Sequence, residues 1–223
     1  MNAALLKKWF QTLAPIGALS EGGVTRPAYS AEEDLMFRAT ADIARRIGLS
    51  VSEDCAGNMF ISFPGREKEP CHLIGSHLDS VPGGGRFDGV AGVLAALLVM
   101  EKIRRNGEDL PVRAVAFRAE ESSLYGLATA GSGGITGSVN SAHLKNARSL
   151  SGESLYDAMI RKGYTPGACR LEHALDFMEL HIEQGRVLFE AKEPLGVVTA
   201  IAAPTRLKVT VLGRQDHSGA TPM

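Results

Sequence analysis

The sequence has few cysteines and no long apolar run. Its three cysteines, Cys55, Cys71 and Cys169, form no C-x-x-C pair. Because their number is odd and their spacing wide, they argue against a disulfide framework and against a cysteine-ligated zinc site. The longest apolar stretch, residues 89–100, stops at Glu101 and is too short to cross a bilayer as a helix. The sequence therefore favours neither a disulfide-rich secreted protein nor a membrane-spanning one.

Net charge is also nearly absent. Lysine and arginine total 24, aspartate and glutamate total 25, and the formal net charge is −1. Such a chain presents no general electrostatic field to nucleic acid or to an anionic membrane, so we expect it to bind neither. The N-terminal residues lack the cationic start, apolar core and small-residue cleavage site of a signal peptide. We expect a cytoplasmic protein that recognises its partner at a local site.

Two helices and two short strands are predicted in the first part of the chain. Apolar spacing indicates a helix over residues 2–14, and a capping box at Ser30 and Glu33 marks the start of a second helix. Short strands are expected over residues 51–54 and 58–63. The apolar stripe expected to face the core from the second helix has a spacing of four and consists of Leu35, Ala39, Ile43 and Ile47.

From residue 71 onward, strand patterns alternate with helix patterns. Strands are predicted over residues 71–76, 111–119 and 174–182, and helices over residues 87–106, 155–162 and 186–191. This alternation is typical of an α/β fold with a mostly parallel central sheet and helices on both faces. After Gly196 the pattern becomes β-rich, and further strands are expected over residues 197–202 and 206–212.

Polar side chains follow the predicted strands where an open α/β sheet carries its active site. The candidates are His77, Asp79, Asp88, Glu120, Glu121 and His181. Two imidazoles with several carboxylates form a mixed nitrogen and oxygen ligand set, which suits zinc, manganese, cobalt or nickel better than calcium or magnesium. The sequence therefore predicts a transition-metal site at the strand ends.

Spacing indicates different roles for these side chains. In an extended segment residues i and i+2 point the same way, so Asp79 can hold the ring of His77 through its second nitrogen. Alternation would send the side chains of Glu120 and Glu121 apart, so that one carboxylate binds metal and the other acts as a base. A metal-activated water beside a glutamate is a standard means of attacking an amide.

Each signal has a simpler explanation when it is taken alone. A single histidine is most often structural, a Glu-Glu pair is usually solvated, and a glycine-rich turn before a helix could hold a phosphate. The turn here lacks both Gly-Lys-Ser/Thr and G-x-G-x-x-G, and its aspartate would repel phosphate. His72, His143 and His173 are interpreted as structural or surface residues.

Taken together, the motifs resemble a known enzyme family. Five segments occur in order, GSHLDSVP (75–82), GRFDG (85–89), FRAEESS (117–123), LHIEQG (180–185) and DHSGATPM (216–223). They closely resemble the dinuclear-metal amidohydrolases that include N-carbamoyl-L-amino-acid hydrolase, allantoate amidohydrolase and β-ureidopropionase. These enzymes are related to the aminoacylase and zinc carboxypeptidase superfamily.

The resemblance implies a zinc-peptidase-like catalytic domain with two divalent metal ions, Zn or Mn, Co or Ni. His77 and His181 correspond to ligands of the first ion, Asp88 to the carboxylate that bridges both, and Glu121 to a ligand of the second. Glu120 corresponds to the general base, and Asp79 to the residue that supports His77. The substrate would be a small ureido compound.

The resemblance also implies roles for two residues near the end of the sequence. Gln184 corresponds to a residue that contacts the substrate, and its His-Ile-Glu-Gln setting points to ureido substrates rather than peptides. His217 corresponds to a lid-domain histidine that contacts the substrate and stabilises the transition-state oxyanion.

The resemblance further implies a domain division and a longer family member. Residues 1–205 correspond to the N-terminal part of the catalytic domain, and residues 206–223 to the beginning of a smaller α+β dimerisation domain, the lid. The expected protein is a truncated form of a homodimer that hydrolyses N-carbamoyl amino acids or allantoate. The alternatives are an aminoacylase or metallopeptidase of the same superfamily, and an inactive truncated chain.

Overall fold

The chain forms two compact units, Met1–Ile182 and Glu183–Met223. The computed structural model describes residues 2–121, 123–167, 170–202, 207, 209–210 and 212–221. Its elements in chain order are α1 (Ala3–Leu13), α2 (Ala31–Arg46), β1 (Ser50–Glu53), β2 (Met59–Ser62), β3 (Cys71–His77), α3 (Val90–Asn106), β4 (Val112–Phe117), α4 (Ala130–Thr136), α5 (Ser141–Asn146), α6 (Leu155–Arg161), β5 (Ala174–Met178) and α7 (Val187–Ala191).

A five-stranded mixed sheet lies at the centre of the first unit. The strand order is β1-β2-β4-β3-β5. Strands β4, β3 and β5 are parallel, whereas β2 pairs antiparallel with both β4 and β1. The expected α/β class, a central sheet flanked by helices, is confirmed. Because β3, β4 and β5 run in the same direction, their carboxyl ends meet at one edge of the sheet.

The main hydrophobic core lies between this sheet and helices α1, α2 and α3. The helices contribute Leu13, Met36 and Leu97, and the sheet contributes Ile61 and Ala114, all of them buried. A second, smaller apolar cluster joins α5 and α6 to the segment that follows β4. Its members include Tyr29, Ala119, Leu144, Leu155 and Met159.

Helix α2 buries most of the predicted apolar stripe but not its first residue. Ile43 is 3% exposed, and Ala39 and Ile47 pack against the core from partly buried positions. Leu35, the first residue of the expected stripe, is 47% exposed, whereas Met36 is fully buried. Glu33 and Phe37 are also buried, so the inward face carries a carboxylate. The buried face is therefore wider than the predicted stripe and includes a carboxylate, which an apolar pattern does not indicate.

The predicted capping box is half formed. The hydroxyl of Ser30 accepts a hydrogen bond of 3.1 Å from the backbone N–H of Glu33. The carboxylate of Glu33 accepts its backbone bond from Tyr29, at 2.6 Å, instead of from Ser30. The Glu33 side chain thereby faces the protein interior, where it contacts Arg118 and Ala119 just after β4.

The other differences from the expected elements have local causes. Helices α4 and α5 are not among the predicted elements, because both are too short for a periodic signal and α4 is also rich in glycine. Residues 197–202 lie in no strand, and Leu207, Val209 and Leu212 lie in none either. A β-strand needs a hydrogen-bonded neighbour, which alternation in the sequence cannot supply. The rest of the predicted strand over 206–212, and the domain boundary after 205, fall on residues outside the described ones.

Cys55 requires a correction to the cysteine analysis. It forms a disulfide bond, whereas Cys71 is free and buried. Wide spacing in sequence does not prevent pairing, because folding brings distant residues together. Cys169 lies outside the described residues. Among the described residues, no helix has the length and apolar character needed to cross a membrane.

The buried face of α2 leads to a stability prediction. Met36→Ala should lower the free energy of unfolding by about 2–5 kcal/mol, because it removes a fully buried side chain from the core. Leu35→Ala, the matched change one position earlier, should alter it by no more than about 0.5 kcal/mol. Urea denaturation measures both values. A larger loss for Leu35→Ala would show that Leu35, and not Met36, lies on the buried face.

Candidate metal centre

Polar side chains from four segments meet at the carboxyl edge of the parallel strands. His77 is the last residue of β3, Glu120 and Glu121 follow β4, and His181 follows β5. Asp88 lies just before α3, in the connection that leaves β3. The parallel register, in which His77 lies opposite Phe117, brings the ends of β3 and β4 to the same level.

Asp88 lies between the two histidines. Its Oδ1 atom is 3.1 Å from Nε2 of His181 and 3.6 Å from Nε2 of His77. The two imidazole rings are close to parallel, with centroids 6.1 Å apart. One ligand atom from each of these three residues lies within 4.8 Å of the others. This spacing allows one cation to contact all three side chains.

Backbone carbonyls orient both imidazoles. Nδ1 of His77 lies 3.1 Å from the carbonyl oxygen of Asp79, and Nδ1 of His181 lies 2.9 Å from that of Ile182. Each Nδ1 is thereby favoured as the protonated donor when the ring is neutral, and each Nε2 faces Asp88 as the available ligand atom. Metal-binding histidines commonly have this arrangement.

The two glutamates converge, contrary to the expectation that alternation sends them apart. One carboxylate oxygen from each of Glu120 and Glu121 lies within 4.8 Å of the other and of a ring nitrogen of His77. The alternation argument fails because the pair follows the strand instead of belonging to it. Ala119 has a φ of 53°, in the left-handed region, which redirects the backbone immediately before the pair.

Asp79 connects the ends of β3 and β4. Its carboxylate is fully buried and accepts hydrogen bonds from the backbone N–H groups of Glu120, at 3.1 Å, and Glu121, at 2.9 Å. The same carboxylate lies 3.4 Å from Nδ1 of His77. Asp79 therefore lies on the far side of His77 from Asp88, where it contacts both candidate metal-binding segments.

The electrostatics of the cluster favour a bound cation. Burial opposes the protonation of His77, but the carboxylates of Asp79 and Asp88 outweigh it and raise the pKa of His77 to about 11. Burial also raises the pKa of Glu120 and of Glu121. The carboxylates at this edge of the sheet, those of Asp79, Asp88, Glu120 and Glu121, outnumber the positive charges there. Two imidazoles with this excess of carboxylates fit a divalent zinc-type ion.

Glu179 is a member of the cluster that the sequence analysis missed. Its carboxylate accepts a hydrogen bond from the hydroxyl of Ser76 on β3, and its charge contributes to the raised pKa of Glu120 after burial. A signal was present in the sequence, because Glu179 precedes His181 by two positions. In an extended segment, that spacing directs both side chains to the same side.

Gln184 and His217 belong to the second unit. Nδ1 of His217 accepts a hydrogen bond of 3.1 Å from the N–H of Gly219. Glu183, next to Gln184, accepts bonds from the N–H groups of Leu188 and Phe189 at the start of α7. The roles expected for Gln184 and His217 stay predictions.

The sequence model of peptidase family M20/M25/M40 matches residues 73–219, which is more than half of the chain. The chain belongs to this family. The M20/M25/M40 match begins within β3, before His77, and extends beyond His181. It therefore includes each residue of the candidate centre.

Similar proteins carry amidohydrolase names. The chain is 40% identical over 221 residues to an N-carbamoyl-L-amino acid amidohydrolase of Geobacillus stearothermophilus, covering 95% of this chain and 53% of the relative. It is 35% identical over 222 residues to an allantoate amidohydrolase of Bacillus subtilis, with coverages of 96% and 54%.

A solved structure supports the same relationship. A hydantoinase/carbamoylase family amidase from Burkholderia ambifaria matches with a TM-score of 0.75 and 33% identity, over 86% of this chain and 48% of that one. The chain thus spans about half the length of these similar proteins.

Gly89 provides a test of the centre's geometry. A Cβ atom at this position would overlap the carbonyl oxygen of His77 and lie 2.7 Å from two atoms of its ring. Gly89→Ala should therefore displace the ring and weaken zinc binding by about 10- to 100-fold. Competition with a chromophoric chelator measures this affinity.

Gly107, at the other end of α3, supplies the matched control. Its φ of 67° is close to the 65° of Gly89, but no atom lies within 4 Å of the place that a Cβ atom would occupy. Gly107→Ala thus adds similar backbone strain without touching the centre, and zinc affinity should be retained. Equal losses in the two variants would refute the geometric argument.

The raised pKa of His77 gives a pH dependence. With a pKa of about 11, the metal-free imidazole is protonated at neutral pH, so a metal ion must displace that proton to bind. The apparent zinc affinity should rise about tenfold per pH unit between about pH 6 and pH 8. Calorimetric titration in buffers of different ionisation enthalpy counts the released proton. A pH-independent affinity would contradict the prediction.

Proposed function

We propose that the protein containing this chain is a metal-dependent amidohydrolase of non-peptide C–N bonds. Its substrates would be N-carbamoyl-L-amino acids or allantoate, from which it removes the carbamoyl or ureido group. The observation that carries the proposal is the position of Asp88, with Oδ1 within 3.6 Å of Nε2 of both His77 and His181. The names of the similar proteins support the reaction class.

Two ions would share the candidate centre. His77, Asp88 and His181 would hold the first ion, and Asp88 and Glu121 would contribute to the second. Bound divalent cations of the zinc, manganese, cobalt or nickel type would activate water and polarise the ureido carbonyl. Asp88 would suit the bridging position, because it contacts both histidines and its charge acts on both glutamates.

Glu120 would act as the general base. Its carboxylate is partly exposed and lies 3.9 Å from Nε2 of His77, so it could reach a water molecule at the centre. Burial raises its pKa, which brings the basicity of the carboxylate closer to that of an effective catalyst at neutral pH. It would take a proton from the attacking water and transfer it to the leaving nitrogen.

The other residues would orient the ligands and the substrate. Asp79 would keep His77 in position through Nδ1, as its buried carboxylate 3.4 Å away suggests. Gln184 would contact the ureido group, and His217 would stabilise the oxyanion that develops on the carbonyl. The homodimer and the cytoplasmic location expected from the sequence stay predictions.

Replacing each glutamate in turn by glutamine distinguishes their roles. In the protein that contains this chain, Glu120→Gln should lower kcat by about 10²- to 10⁴-fold with near-normal metal content, because the base is lost while the ligands remain. Glu121→Gln should instead lower the occupancy of the second ion. Steady-state kinetics and elemental analysis give the two readouts. Equal metal loss in both variants would contradict the assignment.

A second candidate activity follows from the family name, since M20/M25/M40 proteins are classed as peptidases. An aminoacylase or metallopeptidase would cleave an N-acetyl amino acid or a dipeptide in preference to the N-carbamoyl derivative of the same amino acid. Comparing kcat/KM for these three compounds, with allantoate as a fourth, distinguishes the two. Preference for the N-acetyl compound or the dipeptide would replace the proposed substrate class.

A further inference from the structure

A short turn carries both glutamates of the candidate centre. Residues 118–121, here called the glutamate turn, follow β4 directly. Within this turn Ala119 has the left-handed φ of 53°. A non-glycine residue in that region is locally unfavourable, so the surrounding structure must stabilise this conformation. The conformation matters because it directs both carboxylates toward His77.

Side chains from three other segments accept hydrogen bonds from the backbone N–H groups of the glutamate turn. The N–H of Arg118 donates to Oδ1 of Asn58 at 3.0 Å, and the N–H of Ala119 donates to Oε1 of Glu33 at 3.3 Å. The N–H groups of Glu120 and Glu121 donate to the carboxylate of Asp79, as described above. Each N–H along the turn therefore has a side-chain acceptor.

The start of α4 satisfies the carbonyl groups of the same turn. The N–H groups of Thr129, Ala130 and Gly131 donate to the carbonyls of Glu120, Ala119 and Arg118, at 2.7, 2.9 and 3.1 Å. A Cβ atom at Gly131 would overlap the carbonyl oxygen of Arg118 and Oδ1 of Asn58. The backbone of α4 thus approaches the turn as closely as glycine allows.

Asn58 is itself held in the orientation that the turn requires. Its Nδ2 atom donates to Oδ2 of Asp54 at 2.8 Å and to the carbonyl of Gly131 at 3.1 Å. These two acceptors place Oδ1 toward the N–H of Arg118. Asn58 is fully buried, so its bonds lie out of reach of bulk solvent in the intact protein.

Glu33 is fixed by the side chain of Arg118. Nη1 of Arg118 lies 2.7 Å from Oε2 of Glu33, and its Nε donates to the carbonyl of Gly57 at 3.0 Å. The guanidinium also lies 3.9 Å from the ring centroid of Phe37. This buried ion pair joins α2 to the glutamate turn. It holds the Glu33 carboxylate where it can accept the hydrogen bond from the N–H of Ala119.

We infer that Asn58 and Glu33 are positioning residues that hold the glutamate turn in the geometry that directs Glu120 and Glu121 into the candidate centre. This inference rests on the proposed function. Neither residue contacts the candidate metal ligands through its side chain; each binds a backbone N–H earlier in the turn. Loss of either bond would let the turn relax and displace the two carboxylates.

The test compares Asn58→Ala and Glu33→Gln with a core control. Ile61→Ala is the control, because Ile61 is fully buried on β2 and pairs with Ala114, away from the turn. It removes a large, fully buried apolar side chain, so it lowers stability without changing a contact to the turn. If the Ile61→Ala protein folds, destabilisation of the core by itself does not prevent folding. If Glu33→Gln does not fold, Asn58→Ala alone decides the test.

The first readout does not depend on catalysis. Amide hydrogen exchange of the glutamate turn should become about tenfold faster or more in Asn58→Ala and Glu33→Gln, relative to exchange in α3 of the same protein. In Ile61→Ala this ratio should be unchanged. Unchanged exchange in the turn of Asn58→Ala would overturn the inference.

The second readout is the split between kcat and KM in the protein that contains this chain. Both variants should lower kcat by about 10- to 100-fold with little change in KM, because a small displacement of reacting groups is costly. An equal fall in kcat for Ile61→Ala would overturn the inference. If the wild-type protein hydrolyses no ureido substrate, the proposed function fails, and hydrogen exchange still decides whether the turn is held as inferred.

Discussion

The carboxylate of Asp79 is the contact on which the candidate centre depends. It is fully buried, and a buried carboxylate is unfavourable unless hydrogen bonds and positive charge compensate it. Here the compensation comes from the N–H groups of Glu120 and Glu121 and from the nearby ring of His77. The group therefore cannot leave its place without breaking contacts to two strand ends. This requirement ties the conformation of β3's end to that of the turn after β4.

A surplus of negative charge accompanies this arrangement. The buried guanidinium of Arg26 attracts Asp79 and Asp88, although burial lowers its pKa, and the ring of His77 takes up a proton. These two positive charges are fewer than the three carboxylates of Asp88, Glu120 and Glu121. A fold stabilised only by its own ion pairs would gain by replacing several of these groups with apolar ones. This excess of carboxylates at one sheet edge fits the binding of a divalent cation.

Sequence patterns predict the position of this site better than its internal geometry. The order of strands and helices places His77, Asp88 and His181 at strand ends, and parallel strands necessarily bring those ends together. The inward position of Glu33 on α2 and the convergence of Glu120 with Glu121 could not be predicted in this way. Both depend on contacts between distant segments, Glu33 with Arg118 and Asp79 with the turn, which override local periodicity.

These two failures have one physical origin. A charged residue on an inward face violates the apolar pattern that defines a core helix, and a left-handed alanine violates the alternation that defines a strand. Each is unfavourable locally, and each becomes stable because the other is present: Glu33 accepts the N–H of Ala119, and the turn presents Arg118 to Glu33. Local rules therefore fail at positions where distant segments jointly impose the geometry of the candidate centre. In this chain, the inward Glu33 and the left-handed Ala119 identify the contacts that support the candidate centre, as the ligand residues identify the centre itself.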